Sequence, residues 1–180
     1  MIFEDFEERV MDPMMWIDKG DELKYSADIL AEFELLHVRP NRKYYNGVYE
    51  HTFISVMPQV MMLYAFAIEN YIKSILVLRG LIEIKNRKIY GASHNLIEML
   101  KSIGIEIDGV YKELLEKYER HILWEGRYPA PKKTDDLAKE FNSDNISEWP
   151  NTYVIDHDIR MMKAVINDLQ NIIDSELKKG

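Results

Sequence analysis

The segment from about Pro58 to Arg79 constrains the fold of this chain more than any other. Apolar residues face nearly every side of a helix drawn over it, as the letters VMMLYAFAIENYIKSILVL show. A helix of this kind is stable only when other elements surround it. Because Glu69, Asn70 and Lys73 are costly in a lone membrane span, we expect a buried core helix and no membrane association.

Elsewhere, apolar residues recur every three or four positions, and no segment alternates as a strand does. Further helices are predicted after Asp12, after Ser93 (a short one, capped by that serine), after Asp108 and after Asp156. Between the first two main helices, 39–50 is predicted to be a polar, tyrosine-bearing loop. The fold class that follows is all-α, an antiparallel bundle of four main helices plus one short helix. A long polar excursion, 132–151, precedes the last helix.

Each amphipathic helix has a predicted apolar stripe. In the first helix, one stripe contains Tyr25, Ile29, Phe33 and Leu36, and a second lies beside it at Leu23, Ala27 and Leu30. In the helix after Asp108, the inner stripe contains Tyr111, Leu114, Leu115, Tyr118 and Ile122. In the last helix, the stripe contains Ile159, Met162, Ile166, Leu169, Ile173 and Leu177.

The length of 180 residues suits one domain, 1–180, with an acidic N-terminal helix and tyrosine-rich loop in 1–50 and the bundle core in 55–178. The net charge of −8 is carried by residues 1–34, which hold 11 acidic and 3 basic side chains. This balance argues against non-specific coating of nucleic acid, although basic loops elsewhere can meet a phosphate backbone. The acidic segment is a candidate surface for a protein partner.

Several chemistries are excluded by missing residues. The chain has no cysteine, which removes disulfides and thiolate metal sites. It also lacks the glycine-rich phosphate motifs and the zinc-peptidase and serine-hydrolase motifs. A di-metal bundle needs Glu-x-x-His twice, and Glu34 and His37 supply it once. We therefore expect no metal and no cofactor. The acidic N-terminus lacks the basic start of a signal peptide, which favours the cytoplasm.

Two groups of residues are candidates for a binding site. Arg120, His121, Trp124, Arg127 and Tyr128 form a basic and aromatic ridge that can stack a base and hold a phosphate, or pack as the flank of a helix. In the core helix, an i,i+4 ion pair is predicted between Glu69 and Lys73. A buried pair needs further partners, for which Arg127 and His94 are the candidates.

His94 stands at the start of the short helix, one turn before Glu98. Two functional interpretations are a metal pair and a proton-transfer dyad with Glu98. The alternative is a histidine that hydrogen-bonds the helix start or a neighbouring loop.

Three motifs in order resemble those of HEPN-like domains. Ala67-Ile-Glu-Asn-Tyr-Ile-Lys73 resembles their A-x-E-x-x-x-K signature. Ser93-His-Asn-Leu96 resembles their "GHdL" short helix, with serine in place of glycine. Trp124-Glu-Gly-Arg-Tyr-Pro129 resembles the R-Y-P exit of several prokaryotic subfamilies, and the likeness covers roughly 55–178.

The resemblance implies a helical bundle that commonly forms homodimers. Many HEPN-like proteins are ribonucleases of toxin–antitoxin or phage-defence systems with an R-x(4–6)-H motif, and others bind nucleotides or act as scaffolds. Arg87 and His94 have that spacing, but they precede the short helix whereas the family motif lies near later helices. The first hypothesis is therefore a dimeric binding or regulatory module for RNA or a nucleotide. The others are a metal-independent endoribonuclease using Arg87 and His94, and a protein-interaction adaptor.

Overall fold

The computed structural model describes residues 2–37, 42–45, 48–51, 55–86, 88–107, 109–120, 122 and 155–179. In this part of the chain, six helices and two short hairpins are found, and the predicted all-α bundle is confirmed. The helices are α1 (Ile2–Met11), α2 (Pro13–His37), α3 (Met57–Leu78), α4 (Leu96–Ser102), α5 (Gly109–Arg120) and α6 (Ile155–Leu177). The strands are β1 (Arg42–Tyr45), β2 (Val48–His51), β3 (Glu83–Lys85) and β4 (Lys88–Tyr90).

The central helix is α3, as its all-round apolar sequence predicts. It contributes the largest set of buried side chains and packs against α2, α4, α5 and α6. Pro58 lies in its first turn, and Gly80 follows its end with a φ of 65°, a left-handed conformation that glycine adopts without strain. By length and composition α3 could cross a membrane, and 78% of its most apolar window is buried inside the fold. Core helices of soluble proteins share these properties.

Helices α2 and α3 are antiparallel neighbours joined by hydrogen bonds along their length. The Tyr71 hydroxyl donates to Asp21 at 2.6 Å, and the Tyr64 hydroxyl donates to Asp28 at 2.6 Å. At the other end, one oxygen of Glu34 accepts from the Ser55 hydroxyl and the other accepts from the N–H of Val56, which precedes α3. Glu34 thus satisfies a backbone donor at the start of the next helix, a task that a local capping residue usually performs.

The buried face of α2 contains the second predicted stripe, whose Leu23 and Leu30 pack partly buried against the core, and it excludes the first stripe. Ala27 is fully buried and Ala31 is 1% exposed, and a Cβ built on Gly20 would lie 2.7 Å from the Tyr71 ring. Small residues let the two helix backbones approach closely. The first predicted stripe lies on the opposite side, with exposed fractions of 69% for Tyr25, 52% for Ile29, 41% for Phe33 and 72% for Leu36.

The other predicted stripes agree more closely. In α6, Ile159, Met162, Ile166, Leu169 and Ile173 are buried as predicted, whereas Leu177 is 44% exposed in the last turn. In α5 and just beyond it, Leu114, Leu115, Tyr118 and Ile122 are buried, and Tyr111 is 42% exposed.

Two predictions about local structure were wrong. The segment predicted as a loop at 39–50 contains the antiparallel hairpin β1–β2, and the second hairpin, β3–β4, was not predicted either. Strands of three or four residues are too short for an alternating pattern to be recognised. The short helix α4 is capped by Asn95, whose side chain accepts from the N–H of Glu98, and not by Ser93. The excursion 132–151 lies outside the described residues.

Candidate functional site around His94

A buried carboxylate holds an exposed histidine on the surface beside α3. The Glu69 side chain is 4% exposed, and its two oxygens lie 3.0 and 3.1 Å from Nδ1 of His94. One of these oxygens also accepts from Nζ of Lys73 at 2.5 Å, one helical turn further along α3. The His94 side chain is 66% exposed. We call Glu69, Lys73 and His94 the His94 cluster.

The surrounding elements explain this arrangement. Glu69 lies on a helix that is buried nearly all round, so its carboxylate must find partners inside the protein. Lys73 supplies one from the next turn, and its Nζ also lies 5.0 Å from the centre of the Trp16 ring of α2. His94 supplies the other from the segment before α4. That segment is fixed by the Asn95 cap and by the Ser93 hydroxyl, which accepts from the N–H of Asn95 at 3.1 Å.

The geometry determines which imidazole nitrogen is available for chemistry. The Nδ1 atom faces a carboxylate, so it carries a proton and donates to Glu69. The Nε2 atom has no hydrogen-bond partner among the described residues. A carboxylate that orients an imidazole in this way leaves Nε2 able to accept a proton or, once protonated, to donate one.

Of the alternatives for His94, the contact with Glu69 is formed, and no contact with the Glu98 side chain is found among the described residues. Glu98 is exposed, and its backbone N–H, not its carboxylate, takes part in the capping of α4. A different carboxylate approaches α4: Glu119 of α5 accepts from the N–H of Ile97 at 3.0 Å. Burial raises the pKa of Glu119, although this backbone donor acts in the opposite direction. Glu119 was not recognised from the sequence, because its only signal was its position on α5.

The predicted binding residues are distributed as follows. Glu69, Lys73 and His94 are brought together. Arg120 is the last residue of α5, whereas Arg87, His121, Trp124, Arg127 and Tyr128 lie outside the described residues. The predicted contact between Glu69 and Arg127 therefore stays a prediction. Within the part of the chain that is described, no three His, Asp or Glu side chains are grouped to hold a metal ion.

Trp16 and Asn70 were missed by the sequence reasoning and lie close to the cluster. Trp16 Nε1 donates to the carbonyl of Val10 at 2.9 Å, which ties α1 to α2, while Lys73 lies over its ring. Asn70 adjoins Glu69 on α3 and is 9% exposed. The sequence feature that could have marked the surroundings of the His94 cluster is Trp16, a tryptophan in a helix whose charged residues are mostly acidic.

Comparison of the chain with protein-family models, with curated proteins and with solved structures gives no match. The resemblance to HEPN-like domains therefore rests on the three sequence motifs.

Proposed function

We propose that this protein binds RNA or a nucleotide at the surface around His94, as a binding or regulatory module of the HEPN-like type in the cytoplasm. The observation that carries the proposal is the exposed imidazole of His94, whose orientation is fixed by the buried carboxylate of Glu69. An exposed side chain held in one orientation loses little rotamer entropy on binding, which favours a ligand contact. When protonated, its Nε2–H can donate to a phosphate oxygen.

The first test is the effect of His94→Ala on RNA affinity. Hydrogen bonds to charged groups contribute roughly 1.5–3 kcal/mol, so we expect affinity to fall by about 10- to 100-fold. Fluorescence anisotropy with a labelled single-stranded RNA of mixed sequence measures this loss, and binding by the parent chain should weaken steeply as salt rises.

The matched control is His157→Ala. His157 is 45% exposed and lies 3.4 Å from Asp158, so it is also a histidine beside a carboxylate, on α6. We expect this variant to bind RNA like the parent. Equal affinity of the parent and His94→Ala, with both folded, would overturn the proposal.

A second candidate function is a metal-independent endoribonuclease, because Nε2 of His94 is free among the described residues. As a general base it would take the proton of a ribose 2′-hydroxyl, whose oxygen then attacks the adjacent phosphorus and displaces the 5′-oxygen, which leaves with a proton. Arg87 would stabilise the charge that develops on the phosphate. The same two variants discriminate: cleavage in EDTA that falls about 10²–10⁴-fold in His94→Ala but persists in His157→Ala supports the nuclease.

We propose that the partner of this chain is a second copy of itself, and that the two copies form a homodimer through α2. Tyr25, Ile29 and Leu36 are more than half exposed along one side of α2, and Ile29 lies near the middle of this stripe. An antiparallel copy of the helix would bring Ile29 against Ile29 and lay one stripe over the other, which is the self-complementarity of a twofold interface. The alternative is that the acidic N-terminal segment of this chain binds a different protein, in which case the protein is an interaction adaptor.

Ile29→Glu tests the dimer. Placing two carboxylates at the centre of the interface would oppose association, so we expect a dimer to become a monomer in light scattering after size-exclusion chromatography. Tyr111→Glu is the control, because Tyr111 is 42% exposed on a different helix. A parent chain that is already monomeric at high concentration, or an Ile29→Glu variant that stays dimeric, would contradict the proposed interface.

A further inference from the structure

A cleft of about 490 Å³ lies between α1 and the first turns of α2, next to the His94 cluster. Trp16 lines it, and Lys73 links the two places, since its Nζ contacts both the Trp16 ring and Glu69. The volume is within the usual range of small-molecule sites. Phe6 and Met15 also line the cleft while 40% and 44% of their surface is exposed, so it has apolar walls that face solvent.

The amide of Asn70, which lines this cleft, has one atom without a hydrogen-bond partner among the described residues. Asn70 lines the cleft and is 9% exposed, and its Nδ2 donates to the carbonyl of Phe66 at 2.7 Å. Its Oδ1 accepts no hydrogen bond from any described residue. Buried amide oxygens are nearly always satisfied, so a ligand with an N–H donor would complete this one.

A cation that forms no ion pair with a described residue lies at the same cleft. Arg9 lines it and forms no ion pair with a described residue, whereas the neighbouring Lys19 is paired with Glu22 at 2.7 Å. A guanidinium group binds phosphate well through two parallel hydrogen bonds. The cleft thus combines an aromatic and apolar wall, an acceptor for an N–H group and a cation for an anion.

We propose that this cleft binds a nucleotide, with the base against Trp16, its exocyclic amine donating to Asn70 Oδ1 and its phosphate paired with Arg9. The nucleotide is either free or a base of an RNA strand that also reaches His94. This inference rests on the proposed function, because the nucleotide in the cleft is the ligand, or part of the RNA ligand, that we propose for the surface around His94.

Isothermal titration with adenosine 5′-monophosphate, adenosine and purine riboside 5′-monophosphate tests the assignment without disturbing the fold. We expect the monophosphate of adenosine to bind about tenfold tighter than adenosine, which lacks the phosphate. It should also bind about tenfold tighter than the purine analogue, which lacks the exocyclic amine. In Arg9→Gln, the preference for the monophosphate over adenosine should disappear, because the cation that recognises the phosphate is gone.

Arg160→Gln is the matched control, since Arg160 is a 70% exposed arginine on α6, and it should keep both preferences. A short oligoadenylate, titrated in parallel, separates the sources: tighter binding of the oligonucleotide than of the monophosphate, weakened by Arg9→Gln, assigns the cleft to an RNA base. Tighter binding of the monophosphate assigns it to a free nucleotide.

Failure of this inference is distinguishable from failure of the proposed function. No binding of any of the three compounds, or binding that Arg9→Gln leaves unchanged, overturns the cleft assignment even where RNA affinity depends on His94. Conversely, nucleotide binding that depends on Arg9 upholds the cleft even where His94→Ala leaves RNA affinity unchanged.

Discussion

Replacing Glu69 with alanine is expected to lower the free energy of unfolding by about 3–5 kcal/mol, a large fraction of the stability of a typical domain. The Lys73 side chain is 12% exposed, and in the variant its ammonium group would remain buried without its carboxylate. His94 would lose the contact that orients it as well. Urea unfolding followed by circular dichroism measures the change.

Two further variants show whether the loss comes from the unpaired charge. Glu116→Ala removes the carboxylate of an exposed i,i+4 pair with Lys112, and we expect a change within about 0.5 kcal/mol. The double variant Glu69→Leu with Lys73→Met replaces the buried pair by apolar side chains of similar volume, which should recover most of the stability. Unchanged stability of Glu69→Ala would show that Glu69 does not hold this part of the fold together.

The double variant also separates the structural role of Glu69 from its role in the site. Without a carboxylate at position 69, the His94 imidazole is no longer held, so RNA affinity should stay low although the fold has recovered. Recovery of both stability and affinity would mean that the orientation of His94 does not matter for binding.

The buried face of a helix was predictable from the sequence where the helix has a single apolar stripe. In α6, a single apolar stripe lies opposite a charged side, so its periodicity and its burial agree. In α2, two apolar stripes lie side by side in the sequence, and only the one with Leu23, Ala27 and Leu30 faces the core. Gly20, Ala27 and Ala31 mark the line of closest approach to α3, because only small side chains fit where two helix backbones come this close.

The His94 cluster was predictable only in part. The Glu69–Lys73 pair follows from helix geometry alone, since residues four apart on a helix are neighbours. The contact with His94 joins residues 25 positions apart and was one of two candidates, because the sequence does not determine how the segment before α4 crosses α3. The position of Trp16 over Lys73 depends on the packing of α2 against α3, which local periodicity does not contain.

Three buried tyrosines make the fold sensitive to alkaline pH. Tyr64 and Tyr71 donate to Asp28 and Asp21, and Tyr118 of α5 lies within 3.3 Å of the carbonyl of Asp158. Burial, and then the neighbouring negative charges, raise the pKa of all three tyrosines well above the ordinary value.

The sign of the effect follows from linkage between protonation and folding. Below pH of about 10, tyrosine is protonated in both the folded and the unfolded chain, and the stabilisation is fully present. Above that pH the unfolded chain loses the three protons while the folded chain keeps them, so the unfolded state is favoured. Each tyrosine then lowers the free energy of unfolding by about 1.4 kcal/mol per pH unit, and the three together lower it by about 4 kcal/mol per pH unit.

We therefore expect the midpoint of urea unfolding to fall steeply above pH of about 10, and the absorbance of these three tyrosinates to rise together with unfolding. Tyr64→Phe should reduce the pH dependence of the free energy of unfolding by about one proton, because phenylalanine does not ionise. In this variant Asp28 keeps its ion pairs with Lys24 and Lys163. Tyr25→Phe should leave the slope unchanged, since the side chain of Tyr25 is 69% exposed and lies outside the buried network. Ionisation of all the tyrosines before the helical signal is lost would contradict the buried network, because it would mean that water reaches these hydroxyls in the folded protein.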